Sequence, residues 1–171
     1  ADLAENGFYA QIRGQHLETD GTPVKDSKNA PDAAFDQTGY SAKFGVEKEK
    51  YALSLDYSEN EGNSQYDNYG AVANQDFKNE IVNIKGRVNL APSVEVNARV
   101  SQFKDDIDQN DVNYDGSYDF IHSKTQEAEL YGKWQFTPHQ NILLGTTYQT
   151  IKGDVISFTA PYKGDVDSQG Y

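Results

Sequence analysis

The residues in this sequence that could bind a ligand most directly are aspartates. Six of them fall within residues 105–119, a segment that contains no lysine or arginine. Carboxylate oxygens in flexible segments are the ligands that Ca²⁺ prefers. So many uncompensated carboxylates repel one another unless a cation or salt screens them. The segment therefore indicates either calcium binding or acidic turns that are simply solvated.

Part of this acidic segment matches the opening of an EF-hand calcium loop. Asp111, Asn113 and Asp115 occupy the first, third and fifth positions of the motif. The twelfth position, which is a bidentate glutamate in an EF-hand, is His122, and no helical pattern flanks the segment. One candidate metal site is therefore formed by Asp111, Asn113, Asp115 and Asp119.

The elements that must position these residues are β-strands, because apolar and polar residues alternate with period two along most of the chain. The pattern is clearest in residues 93–101, where Val94, Val96, Ala98 and Val100 share one face. We predict seven strands, at about residues 8–18, 40–47, 50–58, 82–90, 93–101, 126–136 and 141–150.

Short and long connections alternate between these predicted strands. Tight turns are expected at residues 4–7, 47–50, 90–93 and 137–140, and long polar loops at about 20–37, 58–78 and 105–124. Tight turns at one end and long loops at the other are typical of outer-membrane β-barrels. We therefore predict an all-β, antiparallel, up-and-down transmembrane β-barrel, with one strand face toward lipid and the other toward a polar interior.

The number of predicted strands indicates part of a barrel. Bacterial single-chain barrels have an even number of strands, whereas seven are predicted here, and residues 155–171 read as a loop. We expect residues 1–171 to be part of one barrel domain, with no plug domain among them.

Composition narrows the possible functions. The chain has 15 lysines and arginines against 27 aspartates and glutamates, so its net charge is −12 and nucleic acid is not an expected partner. It has no cysteine, which excludes disulfides and thiolate chemistry. Two alternatives to a large barrel remain at this stage: a small passive porin or structural barrel of eight strands, and a soluble calcium-dependent β-sandwich that binds a partner.

No arrangement of residues predicts catalysis. A G-x-S-x-G nucleophile motif is absent, and the three histidines lack metal-ligand spacing. Glu127 and Glu129 could form a carboxylate pair for hydrolysis, but charged residues are expected inside any such barrel. We therefore expect a protein that is not an enzyme.

Two stretches carry a resemblance to a known family. Residues 50–67, KYALSLDYSENEGNSQYD, and residues 81–154, with the hairpin segment ELYGKWQF, resemble TonB-dependent outer-membrane transporters, and within that family the transporters of cobalamin. The resemblance implies a large barrel in the bacterial outer membrane, surrounded by lipid and lipopolysaccharide. It also implies uptake of cobalamin or a siderophore, driven by TonB through a plug that is absent from this chain.

The same resemblance implies a second candidate calcium site and a substrate surface. Cobalamin transporters bind Ca²⁺ with aspartates of neighbouring early extracellular loops. By position, the equivalent ligands in this sequence would be Asp20, Asp26, Asp32, Asp36 and Asp67. The aromatic residues expected to contact the substrate are Tyr66, Tyr69 and Tyr114.

Overall fold

A computed structural model of the chain describes residues 1–23, 32–68, 71–110, 118–157 and 160–171. They form one antiparallel sheet of nine strands, in which each strand pairs with the next along the chain. The strands are β1 (Asp2–Glu5), β2 (Phe8–Thr19), β3 (Phe35–Glu47), β4 (Tyr51–Asn68), β5 (Ala71–Ala91), β6 (Val94–Asn110), β7 (Tyr118–Thr137), β8 (Gln140–Ser157) and β9 (Ala160–Gly170). In the described part of the chain, no helix is long and apolar enough to cross a membrane.

The predicted fold class, all-β with antiparallel up-and-down strands, is confirmed, but the number of strands was wrong. Nine strands replace the seven predicted, because β1 precedes the first turn and β9 lies in residues 155–171, which were expected to be a loop. β9 pairs with β8 without a register shift, from Ser157 opposite Ala160 to Thr147 opposite Gly170. Main-chain hydrogen bonds form this pairing, so it does not need the apolar side chains that the sequence pattern detects.

Two of the three expected long loops are also largely strand. β4 continues to Asn68 and β5 begins at Ala71, so residues 58–68 and 71–78 are paired strand and not loop. Likewise, β6 continues to Asn110 and β7 begins at Tyr118 within residues 105–124. Both faces of these extensions are mostly polar, which removes the period-two contrast in hydrophobicity while leaving the backbone ladder intact.

The first hairpin turn shows how the sequence determines a connection. Asn6 and Gly7 join β1 to β2, with φ angles of 52° and 79°. Positive φ at both central residues is the geometry of a type I′ turn, which Asn-Gly favours because the twist of that turn matches that of the flanking strands.

The register divides the sheet into two sides, since directly paired residues point the same way. We call them the Leu53 side and the Arg99 side. On the Leu53 side, an apolar band crosses strands β2–β8 and is formed by every second residue of seven stretches, one in each strand. The stretches are residues 8–12, 40–46, 51–57, 82–88, 94–100, 128–134 and 142–148. Most of these stretches contain seven residues, or about 23 Å of strand.

The sheet has almost no hydrophobic core of its own. Among the described residues, Ala73 is the only buried hydrophobic residue, whereas Leu53 and Trp134 are each 53% exposed and Leu144 is 73% exposed. A β-sandwich would require a second sheet packed about 10 Å away, and the described strands form a single sheet. The sandwich alternative is therefore not supported, and the apolar band must be covered by something other than these strands.

Gly62 of β4 is a position where strand packing requires a glycine. Phe35 of β3 and Phe77 of β5 stack near it, with ring centroids 5.8 Å apart and an angle of 16° between the rings. A Cβ atom at Gly62 would lie 2.0 Å from the Asp36 carbonyl oxygen and 2.9 Å from a Phe77 ring carbon. Gly153 of β8, in contrast, has open space where its Cβ atom would be.

We therefore expect Gly62→Ala to lower the free energy of unfolding by about 1–3 kcal/mol, because a backbone carbonyl must move to admit the methyl group. Gly153→Ala is the matched control, and it should leave that free energy unchanged or raise it by up to about 1 kcal/mol. Urea unfolding of the full-length protein, followed by tryptophan fluorescence, measures both. Equal effects of the two changes would contradict the close approach at Gly62.

Candidate functional site

The Arg99 side of the sheet carries a network of opposite charges across β6, β7 and β8. Arg99 is directly opposite Glu129 and donates a 2.9 Å hydrogen bond to its carboxylate. The same nitrogen of Arg99 donates to Glu127, which lies two residues before Glu129 in β7. Glu127 also accepts a 3.4 Å hydrogen bond from the Gln149 amide. Both glutamates are thus held by one guanidinium, as in a structural ion pair.

A second charge network on the Arg99 side joins β3, β4 and β5. Asp56 lies between Lys43 and Lys85, whose ammonium nitrogens are 3.4 Å and 3.5 Å from its carboxylate oxygens. Closer to the tight turns, Arg87 and Glu47 form an ion pair at 3.1 Å. Because these groups are partly exposed, each pair contributes little stability by itself. Together they make this side polar in the stretch that lies behind the apolar band.

Beyond the charge networks, the Arg99 side carries aromatic rings. Phe35 and Phe77 stack there, and Tyr66 lies on the same side, four residues beyond Gly62 along β4. Tyr66 was predicted to contact a substrate, whereas Phe35 and Phe77 were missed because their segments were expected to be loops. Once the register is known, counting residues along the paired strands from Leu53 places Phe35 and Phe77 on the Arg99 side. The register between strands is therefore the signal that identifies them.

The calcium ligands implied by the resemblance are spread over several strands. Asp20 follows the end of β2, and Asp32 forms an isolated bridge with Pro23. Asp36 of β3 is directly opposite Asn63 of β4. Asp67 lies four residues beyond Asn63 along β4, which corresponds to about 13 Å of strand between them. The remaining predicted ligand, Asp26, lies outside the described residues.

The EF-hand-like candidate lies mostly outside the part that the structure describes. Asp111, Asn113 and Asp115 are outside it, as are the predicted substrate contacts Tyr69 and Tyr114. Asp119 is on β7, opposite Gln109. No group of three histidine, aspartate or glutamate side chains suited to a metal occurs among the described residues. Calcium binding at either site stays a prediction.

His122, at the twelfth position of the EF-hand-like motif, has other partners. Its Nε2 atom is 2.9 Å from the Asp108 carboxylate of β6, and its ring stacks on Phe120 at 4.4 Å between centroids. The contact with Asp108 crosses from β7 to β6 on the Leu53 side, beyond the apolar band, whereas Phe120 lies on β7 itself, directly opposite Asp108. His122 is therefore part of a cross-strand cluster with an aspartate.

The Leu53 side changes from apolar to charged where β4 passes Tyr57. The Tyr57 hydroxyl donates a 2.6 Å hydrogen bond to Glu59, and the Lys78 ammonium lies 3.0 Å from the same carboxylate. The hydrogen bond from Tyr57, supported by Lys78, holds the pKa of Glu59 below its ordinary value. Glu59 in turn raises the pKa of Lys78. The charges therefore begin within two residues of the band's edge.

Comparison with known proteins gives a likeness to a solved structure. No protein-family model and no curated protein sequence matches the chain. Among solved structures, the chain is similar to the ferric yersiniabactin uptake receptor FyuA from Yersinia pestis, with a TM-score of 0.53 and 11% sequence identity. The match covers 95% of this chain and 30% of that receptor's chain. At this identity the likeness shows the fold: the nine-stranded sheet resembles part of that receptor.

We expect the stabilising effect of Glu59 to depend on pH in a defined direction. Its pKa in the folded protein is below the ordinary value of 4.5, so the stabilisation is fully present above pH 4.5 and is lost as the pH falls through the lowered pKa. Tyr57→Phe removes the hydrogen-bond donor, and the Glu59 pKa should then rise toward its ordinary value.

A carboxyl-carbon NMR titration of the full-length protein measures this pKa. Tyr148→Phe is the matched control, because Tyr148 lies at the corresponding edge of the band on β8, away from Glu59. An unchanged Glu59 titration in Tyr57→Phe would show that the hydroxyl does not influence the carboxylate.

Proposed function

We propose that this chain is a segment of an outer-membrane β-barrel that takes up a scarce nutrient and is driven by TonB. The observation that carries the proposal is the two-sided sheet. An apolar band crosses seven neighbouring strands, β2–β8, on one side, while charge networks occupy the other side. With only Ala73 buried as a hydrophobic residue in the described part, the band requires an apolar environment.

At a strand tilt of about 45°, the seven-residue stretches of the band cover about 16 Å along the membrane normal, so the band lies within the thickness of the hydrocarbon layer. Barrels in the outer membrane have an apolar band about 25 Å tall, crossed by tilted strands of about 9–11 residues. Strands β4–β8 have 17 to 21 residues, which is much longer than that, and the 21 residues of β5 would extend well beyond the membrane. This length supports hairpins that project from the membrane on the side away from the tight turns.

The open edges support a barrel larger than these nine strands. β1 and β9, the two edges of the described sheet, are not paired with each other. In hydrocarbon an unpaired edge is costly, so further strands would have to complete the barrel. The likeness to FyuA, of which the chain covers 30%, fits this arrangement better than a closed passive porin of eight strands.

The nutrient would meet the Arg99 side, which would face the interior of the barrel. The aromatic rings of Phe35, Phe77 and Tyr66 lie there beyond the level of the band, near the proposed external opening. Cobalamin is the nutrient implied by the sequence resemblance, and a siderophore complex is the second candidate, in keeping with the ferric yersiniabactin named for FyuA. Coupling to TonB through a plug domain belongs to the same proposal.

We expect Leu130→Arg to lower the free energy of unfolding by about 2–4 kcal/mol, because it places a charge within the hydrocarbon layer. Thr147→Arg is the matched control, since Thr147 lies on the Arg99 side, opposite Glu129. Urea unfolding of the full-length protein in phosphatidylcholine vesicles measures both changes. An equal loss in both variants, or a full-length protein that stays monodisperse without detergent, would contradict the membrane location.

We also expect cells that produce the full-length protein to take up labelled cobalamin or a labelled ferric siderophore only when TonB is present. Tyr66→Ala and Phe77→Ala should each weaken nutrient binding about fivefold, since each removes an aromatic contact. Phe44→Ala, on the apolar band, is the control that should leave binding unchanged. Uptake without TonB would favour the passive porin, and uptake of neither nutrient would overturn the proposed substrates.

A further inference from the structure

Three lysines form a row across the Leu53 side of the sheet. Lys104 of β6 is directly opposite Lys124 of β7, and Lys124 is directly opposite Lys152 of β8. Like charges in direct cross-strand pairs are unfavourable. The row is also unusual in a chain with 27 acidic residues and 15 lysines and arginines. The occurrence of three directly paired lysines in a strongly acidic chain therefore requires an explanation.

The ion pairs around this row leave its middle member without a counter-ion. Lys104 pairs with Glu80 at 2.9 Å, and Lys152 pairs with Asp165 at 3.3 Å. Lys124 is half-buried between them and forms no ion pair with any residue that the structure describes. An anion above Lys124 would interact with all three ammonium groups.

A shallow cleft on this part of the sheet could admit such an anion. The cleft has a volume of about 370 Å³ and is lined by the three lysines of the row together with Lys163 of β9. Three acidic side chains also line it: Asp154, Asp165 and Asp106. Asp154 pairs with Lys163 at 3.0 Å and Asp165 with Lys152, while Asp106 is opposite His122. Two of these three carboxylates are thus already occupied by lysines.

The height of the row relative to the apolar band identifies the kind of anion. Each lysine is four residues beyond the last band residue of its strand, namely Val100, Ala128 and Tyr148. Four residues correspond to about 13 Å of strand, or about 9 Å along the membrane normal at a tilt of about 45°. The polar headgroups of a membrane begin directly outside its hydrocarbon layer, and lysines extend their ammonium groups toward that region.

We propose that Lys104, Lys124 and Lys152 form a binding site for the phosphate of a lipid headgroup in the outer leaflet. The site rests on the proposed membrane location of the apolar band and is independent of which nutrient is transported. At the same level of the sheet, β2–β5 carry Gly14, Tyr40, Glu59 and Glu80. The phosphate site is therefore confined to the β6–β8 part of the barrel wall.

The test compares the full-length protein with its Lys104→Gln/Lys124→Gln/Lys152→Gln variant in detergent. Native mass spectrometry measures the binding of bis-phosphorylated lipid A and of the same lipid without phosphates. The phosphorylated lipid should bind the unmodified protein about tenfold more tightly than the variant, because charge-assisted hydrogen bonds to the phosphate are lost. The dephosphorylated lipid should bind both proteins equally. Equal binding of the phosphorylated lipid to both would overturn the site.

Two further arms identify the ligand and the residues. Inorganic phosphate is added as a competitor: if it displaces the lipid at an equimolar concentration, the site binds free phosphate and the lipid assignment is wrong. Lys133→Gln is the matched control, because Lys133 lies on the Arg99 side and cannot reach lipid. A loss in this control as large as in the triple variant would indicate non-specific attraction and overturn the proposal.

Single substitutions keep the test informative if the triple variant does not fold. Lys124→Gln leaves the ion pairs of Lys104 and Lys152 in place, so the fold should be retained. It should weaken binding of phosphorylated lipid A, whereas Lys124→Arg should preserve that binding. Unchanged binding in a folded Lys124→Gln variant would overturn the central role of Lys124.

The membrane location and the lipid site can fail separately. Leu130→Arg tests whether the apolar band lies in hydrocarbon, and it does not involve any of the three lysines. If Leu130→Arg destabilises the protein as expected and the triple variant still binds phosphorylated lipid A normally, only the phosphate site is wrong. If Leu130→Arg and Thr147→Arg destabilise equally, the membrane location itself is wrong.

Discussion

The ladder of main-chain hydrogen bonds between neighbouring strands is the interaction on which the rest of this structure depends. The described strands pair in sequence from β1 to β9, and Ala73 is the only hydrophobic residue buried among them. Side-chain packing among the described strands therefore cannot be what holds the sheet together. In water such a sheet would expose its apolar band, whereas in hydrocarbon every unpaired backbone group would be costly. Continuous pairing between strands satisfies the second requirement over the whole height of the band.

The same ladder determines where the chemistry lies, because a one-residue shift of register would exchange the two sides of a strand. Leu130 and Glu129 are neighbours in the sequence, yet Leu130 belongs to the apolar band and Glu129 pairs with Arg99 on the opposite side. From β2 to β8, the strand pairing places residues of the same side directly opposite one another. The charge networks on the Arg99 side and the lysine row on the Leu53 side both result from this pairing. The two surfaces that we propose for nutrient and for lipid thus depend on one register.

The sequence-based predictions were correct where the two faces of a strand differ in hydrophobicity, and they were wrong where both faces are polar. Residues 93–101 were predicted correctly as a strand, since valine and alanine alternate there with polar residues. Residues 58–68, 71–78 and 160–170 are strand but were wrongly expected to be loop, because strands with two polar faces have no periodic signal. The stacked pair Phe35 and Phe77 was missed for the same reason. Tyr66 was selected as an aromatic residue, but its side of the sheet follows from its pairing on β4.

The sequence alone determined the fold class, the position of the tight turns and the acidic character of the chain, because alternation and turn residues act locally. The tertiary structure decided how far the strands extend, which residues face each other across them and which charges meet. Arg99 meets Glu129 from thirty residues away, and Lys104, Lys124 and Lys152 form a row although they are widely separated in the chain. Such neighbours arise from the register between strands, which depends on backbone pairing over the whole sheet and not on any local pattern of residues.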